Sequence, residues 1–183
     1  MAALGERDGK RLVHVVVGSG YRARPTDLLT TDRLYVVDDD QILTALVPGG
    51  TVPPAITPSD MTDVTSTAVT EIVGKGWYIN LEEGEKVMAP VAIVDGKIFA
   101  TTYLPRVNNV DACTQTIGGA RLYTLGLGAG EAVGNARFVD LVLPGLPPQA
   151  QVLLQLNPPG SGSEDGTGTG TGGTGDGDGT GGT

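Results

Sequence analysis

The chain has 183 residues, a formal net charge of −9 from 21 acidic and 12 basic residues, and one cysteine. This acidic balance argues against binding to nucleic acid or anionic lipid, because both need clustered lysine and arginine. The longest apolar runs fall far short of the roughly 20 residues that span a bilayer as a helix. We therefore expect no nucleic-acid partner and no membrane span.

The sequence divides into a foldable part, residues 1–159, and a tail, residues 160–183. The tail is built from glycine, threonine, serine and acidic residues, and it has no apolar side chain. Such a segment cannot offset a backbone ordering entropy of roughly 1–2 kcal/mol per residue, so we predict a flexible, disordered tail. Asp176 and Asp178 alternate with glycine but lack the closing glutamate of a calcium loop.

The N-terminus shows no signal peptide, because charged residues 6–11 precede an apolar run that is too short for one. Two interpretations remain open. The protein is cytoplasmic, or this sequence is part of a longer exported chain. Cys113 has no partner within the sequence, so it is either a free thiol or bonded to a cysteine elsewhere.

Strand signals dominate the first third of the chain. The β-branched runs at residues 11–17 and 33–37 and the apolar segment at 42–47 predict three strands, separated by turn-forming residues. Between this region and the next strands, residues 57–63 form either a loop or a short helix, which Pro58 would begin.

The clearest predicted unit covers residues 76–133. Asp95-Gly96 lies between two apolar runs and predicts a tight hairpin turn. Alternation in the third strand places Ile98 and Ala100 on one face. Consecutive meandering strands of this length are typical of one propeller blade. The predicted strands are residues 76–81, 86–94, 97–104 and 120–128.

The fold class that follows is all-β. We predict a partial β-propeller of two to three four-stranded antiparallel blades, some of them incomplete, with residues 136–143 and 151–156 beginning the third. A closed propeller usually needs at least four blades. The chain therefore has the pattern of a piece of one, and we expect uncovered apolar faces such as residues 87–94 to cause aggregation or dimerisation.

The acidic residues and the single histidine do not form a pattern that predicts catalysis or metal binding. His14 is the only histidine and has no ligand or nucleophile at a suitable spacing. We interpret residues 38–40, three aspartates, as a solvated turn that ends an edge strand. Glu82, Glu83 and Glu85 are predicted to point to solvent from a turn rather than to form a glycosidase pair. The protein is predicted not to be an enzyme.

Glycine, aromatic and arginine residues have mainly structural interpretations. Gly18-Ser19-Gly20 lacks the pattern of a nucleotide loop and predicts a turn at a strand end. Arg22 and Arg33 are expected to form ion pairs with nearby aspartates. The aromatic residues are predicted to pack between blades, although a carbohydrate-binding face stays open. These aromatic residues are Trp77, Tyr78, Phe99, Tyr103 and Tyr123.

Several sequence blocks, taken together, resemble the C-terminal β-propeller of the type IV pilus PilC/PilY family. They are GSGYRARP with the following DRLYV, GWYINL with GEKV, FATTYLP, and RLYTL, in that order across residues 11–148. The signature residues, which we expect to be structural, are Gly18, Gly20, Tyr21, Arg22, Pro25, Asp32, Arg33, Tyr35, Gly76, Trp77, Tyr78, Thr101, Thr102, Tyr103, Arg121, Leu122 and Tyr123.

The resemblance implies a non-catalytic segment of a pilus tip-associated protein, located at the cell surface or secreted as part of a longer exported protein. Such proteins support fimbrium biogenesis and cell adhesion. The implied partners are the remaining blades of a larger propeller, or another protein chain, and pilus components. The chain has Arg24 where family members often carry histidine, and it lacks the family's aspartate-rich calcium loop. We therefore expect no cofactor in this segment.

Two other functions are compatible with the sequence. One is a generic β-rich extracellular binding module that recognises glycan or protein through its aromatic residues. The other is an enzyme, such as a hydrolase or a quinoprotein-like dehydrogenase, because propellers host both. The sequence lacks a convincing acid–base set for either reaction, which makes the enzyme the weakest of the three hypotheses.

Overall fold

A computed structural model of the protein describes residues 1–41, 50–66, 69, 71–105 and 117–153. Within these residues the chain forms ten β-strands and one short 3₁₀ turn, and it contains no α-helix. The strands form two sheets, neither of which closes into a barrel. The predicted all-β class is therefore confirmed.

The first sheet has the strand order β1-β2-β3-β5-β4. All neighbours are antiparallel except β4 and β5, which are parallel. The turn between β1 and β2 is Asp8-Gly9, and both residues have positive φ, as a tight type I′ hairpin requires. The five strands are β1 (Ala2–Arg7), β2 (Lys10–Gly18), β3 (Arg33–Asp39), β4 (Thr62–Asp63) and β5 (Gly76–Asn80).

The second sheet has the order β10-β9-β8, and two short strands then share the far edge of β8. The predicted hairpin at Asp95-Gly96 is present, again with positive φ at both residues. The strands are β6 (Lys86–Val87), β7 (Ala92–Val94), β8 (Lys97–Leu104), β9 (Gly119–Gly126) and β10 (Phe138–Asp140).

The hydrophobic core lies between the inner faces of the two sheets. Trp77 on β5 is completely buried there, and its indole Nε1 donates a hydrogen bond to the Leu127 carbonyl at 3.1 Å. Ile98 and Ala100 on β8 also point inward, as the alternation in that strand predicted. The core residues are Val16, Leu34, Val36, Val64, Trp77, Ile79, Leu81, Val87, Val91, Ile98, Ala100, Tyr123, Leu125 and Leu127.

The predicted blade over residues 76–133 is wrong in its first strand. β5 pairs with β3, with Tyr35 opposite Tyr78, and so belongs to the first sheet. The following residues carry the chain across the core to the second sheet. Order along the chain suggested a single meander, but pairing is decided by which strands share a buried face, and Trp77 and Ile79 complete the inner face of the first sheet.

Three further expectations about strands are corrected. Residues 86–94 do not form one strand, because the chain breaks at Pro90, which has no backbone N–H for a ladder. The apolar face at residues 87–94 is not uncovered, since Val87 and Val91 lie in the core. β10 pairs with β9 and extends the second sheet instead of beginning a third blade.

The alternative helix at residues 57–63 is reduced to one 3₁₀ turn, Pro58–Asp60. Thr57 and Asp60 close this turn with a reciprocal capping box, after which the chain enters β4. The predicted strand at 42–47, Cys113 and the tail lie outside the described residues. Of the predicted strand at 151–156, only residues 151–153 are described, and they are not a strand.

The outer face of the first sheet is apolar and open. Leu4 and Val17 point away from the core and are 77% and 49% exposed. Val13, Val15 and Val37 share this face through their register across β1, β2 and β3. Nothing in the described part of the chain covers it. The described residues contain no helix that is long and apolar enough to cross a membrane.

Candidate functional site

The most unusual feature between the sheets is a pair of adjacent, completely buried charges, Glu85 and Lys86. Lys86 begins β6 and Glu85 directly precedes it. Charged side chains are almost never fully buried unless they are paired and hydrogen-bonded. Sequence analysis placed Glu85 in a solvated turn, and this was wrong.

Glu85 receives hydrogen bonds from the inner face of the second sheet. The Thr102 hydroxyl donates to its carboxylate at 2.5 Å, the Arg121 guanidinium at 3.0 Å and the Tyr123 hydroxyl at 3.2 Å. The Glu82 backbone N–H donates at 3.1 Å. Thr102 and Arg121 face each other across β8 and β9, which is why one carboxylate reaches both.

Arg121 extends this network to the surface. Its guanidinium contacts Glu82 at 2.9 Å and Asp140 at 3.0 Å, and it lies over the Phe138 ring at 4.4 Å. Burial alone would lower the pKa of Arg121, but the hydrogen bonds to the two carboxylates outweigh burial and raise that pKa. Arg121 therefore remains positively charged.

Burial, followed by the negative charge of Glu85, raises the pKa of Tyr123. Its phenol therefore remains a protonated donor. With Arg121 charged and Tyr123 protonated, both groups donate permanently to the Glu85 carboxylate. This fits a positioning role and gives neither group a proton to exchange.

Lys86 holds the loop between β2 and β3. Its ammonium donates to the Asp27 carbonyl at 2.5 Å and to the Gly84 carbonyl at 3.1 Å. It also contacts the Thr30 hydroxyl at 3.4 Å and the Asp32 carboxylate at 3.7 Å. Four oxygen atoms thus surround one buried cation, and three of them belong to the loop.

The end of β2 is built around two small residues. Gly18 lies so close to Val87 that a Cβ added there would overlap the valine side chain. Ser19 donates to Asp32 at 2.7 Å and accepts from the Arg33 backbone N–H at 2.8 Å. The predicted turn at Gly18-Ser19-Gly20 is thus tied to the following strand and to the second sheet.

A second polar cluster joins Arg7, His14 and Asp38 beside the core. Asp38 is buried, its carboxylate accepts from His14 Nδ1 at 2.6 Å, and it forms an ion pair with Arg7. Burial, and then the charge of Arg7, lower the pKa of His14. The predicted solvated turn at an edge strand is wrong for Asp38, because β3 is paired on both sides.

The outer face of the first sheet carries an aromatic and arginine patch. The rings of Tyr35 and Tyr78 are 5.9 Å apart, and the Arg33 guanidinium lies 5.2 Å from the centre of the Tyr78 ring. Arg33 donates to the Asn80 side chain at 2.6 Å. Arg33 was predicted to form an ion pair with an aspartate, and it instead forms this hydrogen bond to the Asn80 side chain.

The structure brings some of the signature residues together and separates others. Thr102, Arg121 and Tyr123 meet at Glu85, and Asp32 meets Lys86. Trp77 lies in the core, and Gly76 has a positive φ where a Cβ would overlap the β3 backbone. The residues that lie apart from these groups are Tyr21 and Arg22, which are exposed, Pro25 and Leu122, which are half-buried, and Thr101 and Tyr103, which lie on the outer face of the second sheet.

The sequence did not predict the structural roles of Glu85, Lys86 and Ser19. One signal was available, because Glu85 and Lys86 lie inside the block GEKV that carried the family resemblance. Among the described residues no group of three or more His, Cys, Asp or Glu is placed to hold a metal ion. Of the aspartates at 38–40, Asp38 points inward and Asp40 pairs with Lys75 at 3.0 Å.

Two facing, open sheets define the class of the protein as an all-β fold. Among solved structures, the chain is similar to the C-terminal domain of Pseudomonas aeruginosa PilY1, with a TM-score of 0.50 and 16% identity. The match covers 70% of this chain and 31% of that chain, so the chain spans about a third of its length. No family model and no curated protein matches the sequence. The likeness supports a PilY1-like fold.

Proposed function

We propose that the protein is a non-catalytic structural segment of a pilus-associated propeller that supports pilus assembly and surface attachment. The PilY1-like fold and the family-like sequence blocks support this function. The segment acts at the cell surface as part of a longer exported protein. Its immediate partners are further blades of the propeller, and its more distant partners are pilus components.

The observation that carries the proposal is the open apolar face of the first sheet. A sheet with two apolar faces needs a layer on each of them. The second sheet covers the inner face, and nothing described covers Leu4, Val15 or Val17 on the outer one. In a propeller, the next blade would cover this face.

The chemistry of the His14–Asp38 pair supports a non-catalytic role. His14 is buried, and its ring packs so tightly on Gly5 that a Cβ added there would overlap the imidazole Nε2. A general base needs a substrate within hydrogen-bonding reach of its free nitrogen, and here that nitrogen faces a backbone. Asp38 is also occupied by Arg7. The pair is therefore suited to holding β1, β2 and β3 together.

Deleting the gene in the native host and counting surface pili and attached cells tests the proposal. We expect both to fall, and complementation with wild type to restore them. Complementation with L4D/V17D should fail, because two carboxylates would oppose the covering blade. The control V142D/L143D changes exposed apolar residues elsewhere and should complement. Normal pili and attachment in the deletion strain would refute the proposed function.

A second function, recognition of glycan by a binding module, is favoured by the Tyr35–Tyr78 patch. Neighbouring, half-buried aromatic rings beside an arginine suit the apolar face of a sugar. The same patch would be covered by the next blade in a propeller, so the two functions make opposite demands on it. Saturable glycan-array binding that is lost in Y35A/Y78A and kept in Y21A would favour the binding module.

A further inference from the structure

The loop between β2 and β3, residues 20–32, is exposed but has a well-fixed backbone. The Arg24 N–H donates to the Tyr21 carbonyl at 3.0 Å, and the Asp27 N–H donates to the Arg24 carbonyl at 3.2 Å. Pro25 fixes its own φ within the second of these turns. The Leu29 N–H then donates to the Asp27 side chain at 3.0 Å. Successive turns therefore leave the loop little freedom.

The base of the loop is fastened to the segment between β5 and β6, which leads into the second sheet. Besides the Lys86 contacts, the Gly84 N–H donates to the Thr30 carbonyl at 3.1 Å and the Leu81 N–H donates to the Asp32 carbonyl at 2.9 Å. Leu28 packs against Gly84 so closely that a Cβ there would lie 2.8 Å from the leucine. The loop is thus anchored by hydrogen bonds, packing and a buried charge.

The outer surface of this loop has the composition of a binding surface. Tyr21 is 64% exposed and Leu29 is 91% exposed. Arg22 and Arg24 are also exposed, and within the described residues neither side chain forms a hydrogen bond or an ion pair. Tyrosine and arginine are both enriched among the residues that dominate interface energetics.

Two features together argue for a partner. A chain with 21 acidic residues leaves both arginines of this loop without a carboxylate among its described residues. A loop that is already ordered loses little conformational entropy on binding, so its contacts convert more fully into affinity. The buried Lys86 contributes to this ordering through its contacts with Asp27, Thr30 and Asp32.

We propose that residues 20–32 form a docking loop for an acidic segment of a partner protein. The two guanidinium groups suit carboxylates, which they bind in planar, paired hydrogen bonds. Tyr21 and Leu29 provide the apolar contacts beside them. Nucleic acid and anionic membranes fit poorly, because an extended phosphate surface also meets the acidic remainder of the chain, which carries a net charge of −9, whereas a short acidic segment contacts only the two arginines of the loop.

Fluorescence anisotropy of the full chain with a labelled Glu-Leu-Asp repeat peptide tests this docking. The matched peptide with Gln and Asn in place of the acids is the control probe. We expect binding only to the acidic peptide, weakened by raising salt from about 50 to about 200 mM. R22E/R24E should weaken binding roughly tenfold or more, because attraction becomes repulsion.

The control variant K10E/R11E separates the loop from overall charge. Lys10 and Arg11 are exposed at the β1–β2 hairpin, and replacing them changes net charge by the same amount. Equal losses in both variants would overturn the proposal, as would absence of any preference for the acidic peptide. Tighter binding to duplex DNA or phosphatidylserine vesicles than to the peptide would overturn the choice of partner. Because these readouts involve no pili, failure of the docking proposal leaves the proposed function untouched.

Discussion

Replacing Glu85 with alanine is expected to destabilise the chain more than any other single change to a glutamate. The carboxylate is completely buried and accepts hydrogen bonds from Thr102, Arg121, Tyr123 and the Glu82 N–H. Truncation leaves these donors without their acceptor in a site closed to water. It also leaves Arg121 with only its two more exposed partners.

The expected loss of unfolding free energy is about 3–5 kcal/mol, the range for removing one member of a buried ion pair. The separate hydrogen bonds cannot be added to this value, because they share one acceptor. Urea unfolding followed by the fluorescence of Trp77 measures the loss. With a slope of about 2 kcal/mol per M, the midpoint should fall by about 1.5–2.5 M.

The matched control is Glu83→Ala, two residues away and exposed. Its unfolding free energy should change by less than about 0.5 kcal/mol. The variant Glu85→Gln keeps the side-chain shape but presents an amide N–H₂ to the surrounding donors. Its loss of unfolding free energy should therefore lie between those of Glu83→Ala and Glu85→Ala. A Glu85→Ala midpoint within experimental error of Glu83→Ala would refute the reasoning about the buried network.

Three further changes test other parts of the structure. The pKa of His14 is lowered in the folded chain, so the unfolded chain, whose histidine pKa is about 6.5, binds more protons. The free energy of unfolding should therefore fall as the pH is lowered from 7.5 to 5.5. In His14→Gln, the urea midpoint should depend less steeply on pH. Gly18→Ala should cost about 1–3 kcal/mol through overpacking on Val87 and should be partly rescued by Val87→Ala. Lys86→Met should release the docking loop, seen as faster tryptic cleavage after Arg22.

Each of these predictions has an outcome that would contradict it, and the glycine variant also has a matched control. For the glycine, Gly119→Ala is suitable, because no atom lies within 4 Å of a Cβ built there, and it should leave the midpoint nearly unchanged. A Gly18→Ala penalty that Val87→Ala does not relieve would contradict the contact. A pH dependence in His14→Gln that equals that of the wild type would contradict the role of His14. Equal rates of tryptic cleavage after Arg22 in the wild type and in Lys86→Met would contradict the role of Lys86 in holding the loop.

Local signals in the sequence predicted strands well. The Asp95-Gly96 hairpin and the inward-facing Ile98 and Ala100 follow from turn chemistry and period-2 alternation, which depend on neighbouring residues. The same turn signal at Asp8-Gly9 was available and would have revealed β1. It was overlooked because the charged residues around it have weak strand propensity, and only pairing with β2 makes them a strand.

The assignment of strands to sheets, and the contacts between distant side chains, could not be predicted in the same way. Sheet membership of β5 depends on β3, which lies about 40 residues earlier in the chain. The burial of Glu85 depends on Thr102, Arg121 and Tyr123, which belong to strands further along. From the sequence alone, the Glu85 carboxylate is predicted to be solvated, because two other glutamates lie beside it. Only the three-dimensional positions of its hydrogen-bond donors show that it can be buried.

The pairing of Val37 with Gly76 brings the two ends of a long excursion side by side. Because the flanking strands are fixed by each other, the length of the intervening chain is weakly constrained: doubling a loop adds only about 0.6 kcal/mol of closure entropy. Residues can therefore be gained or lost between β3 and β4 while the strand register stays intact. We therefore expect proteins that share the fold to vary in length at this connection and to acquire new surfaces there.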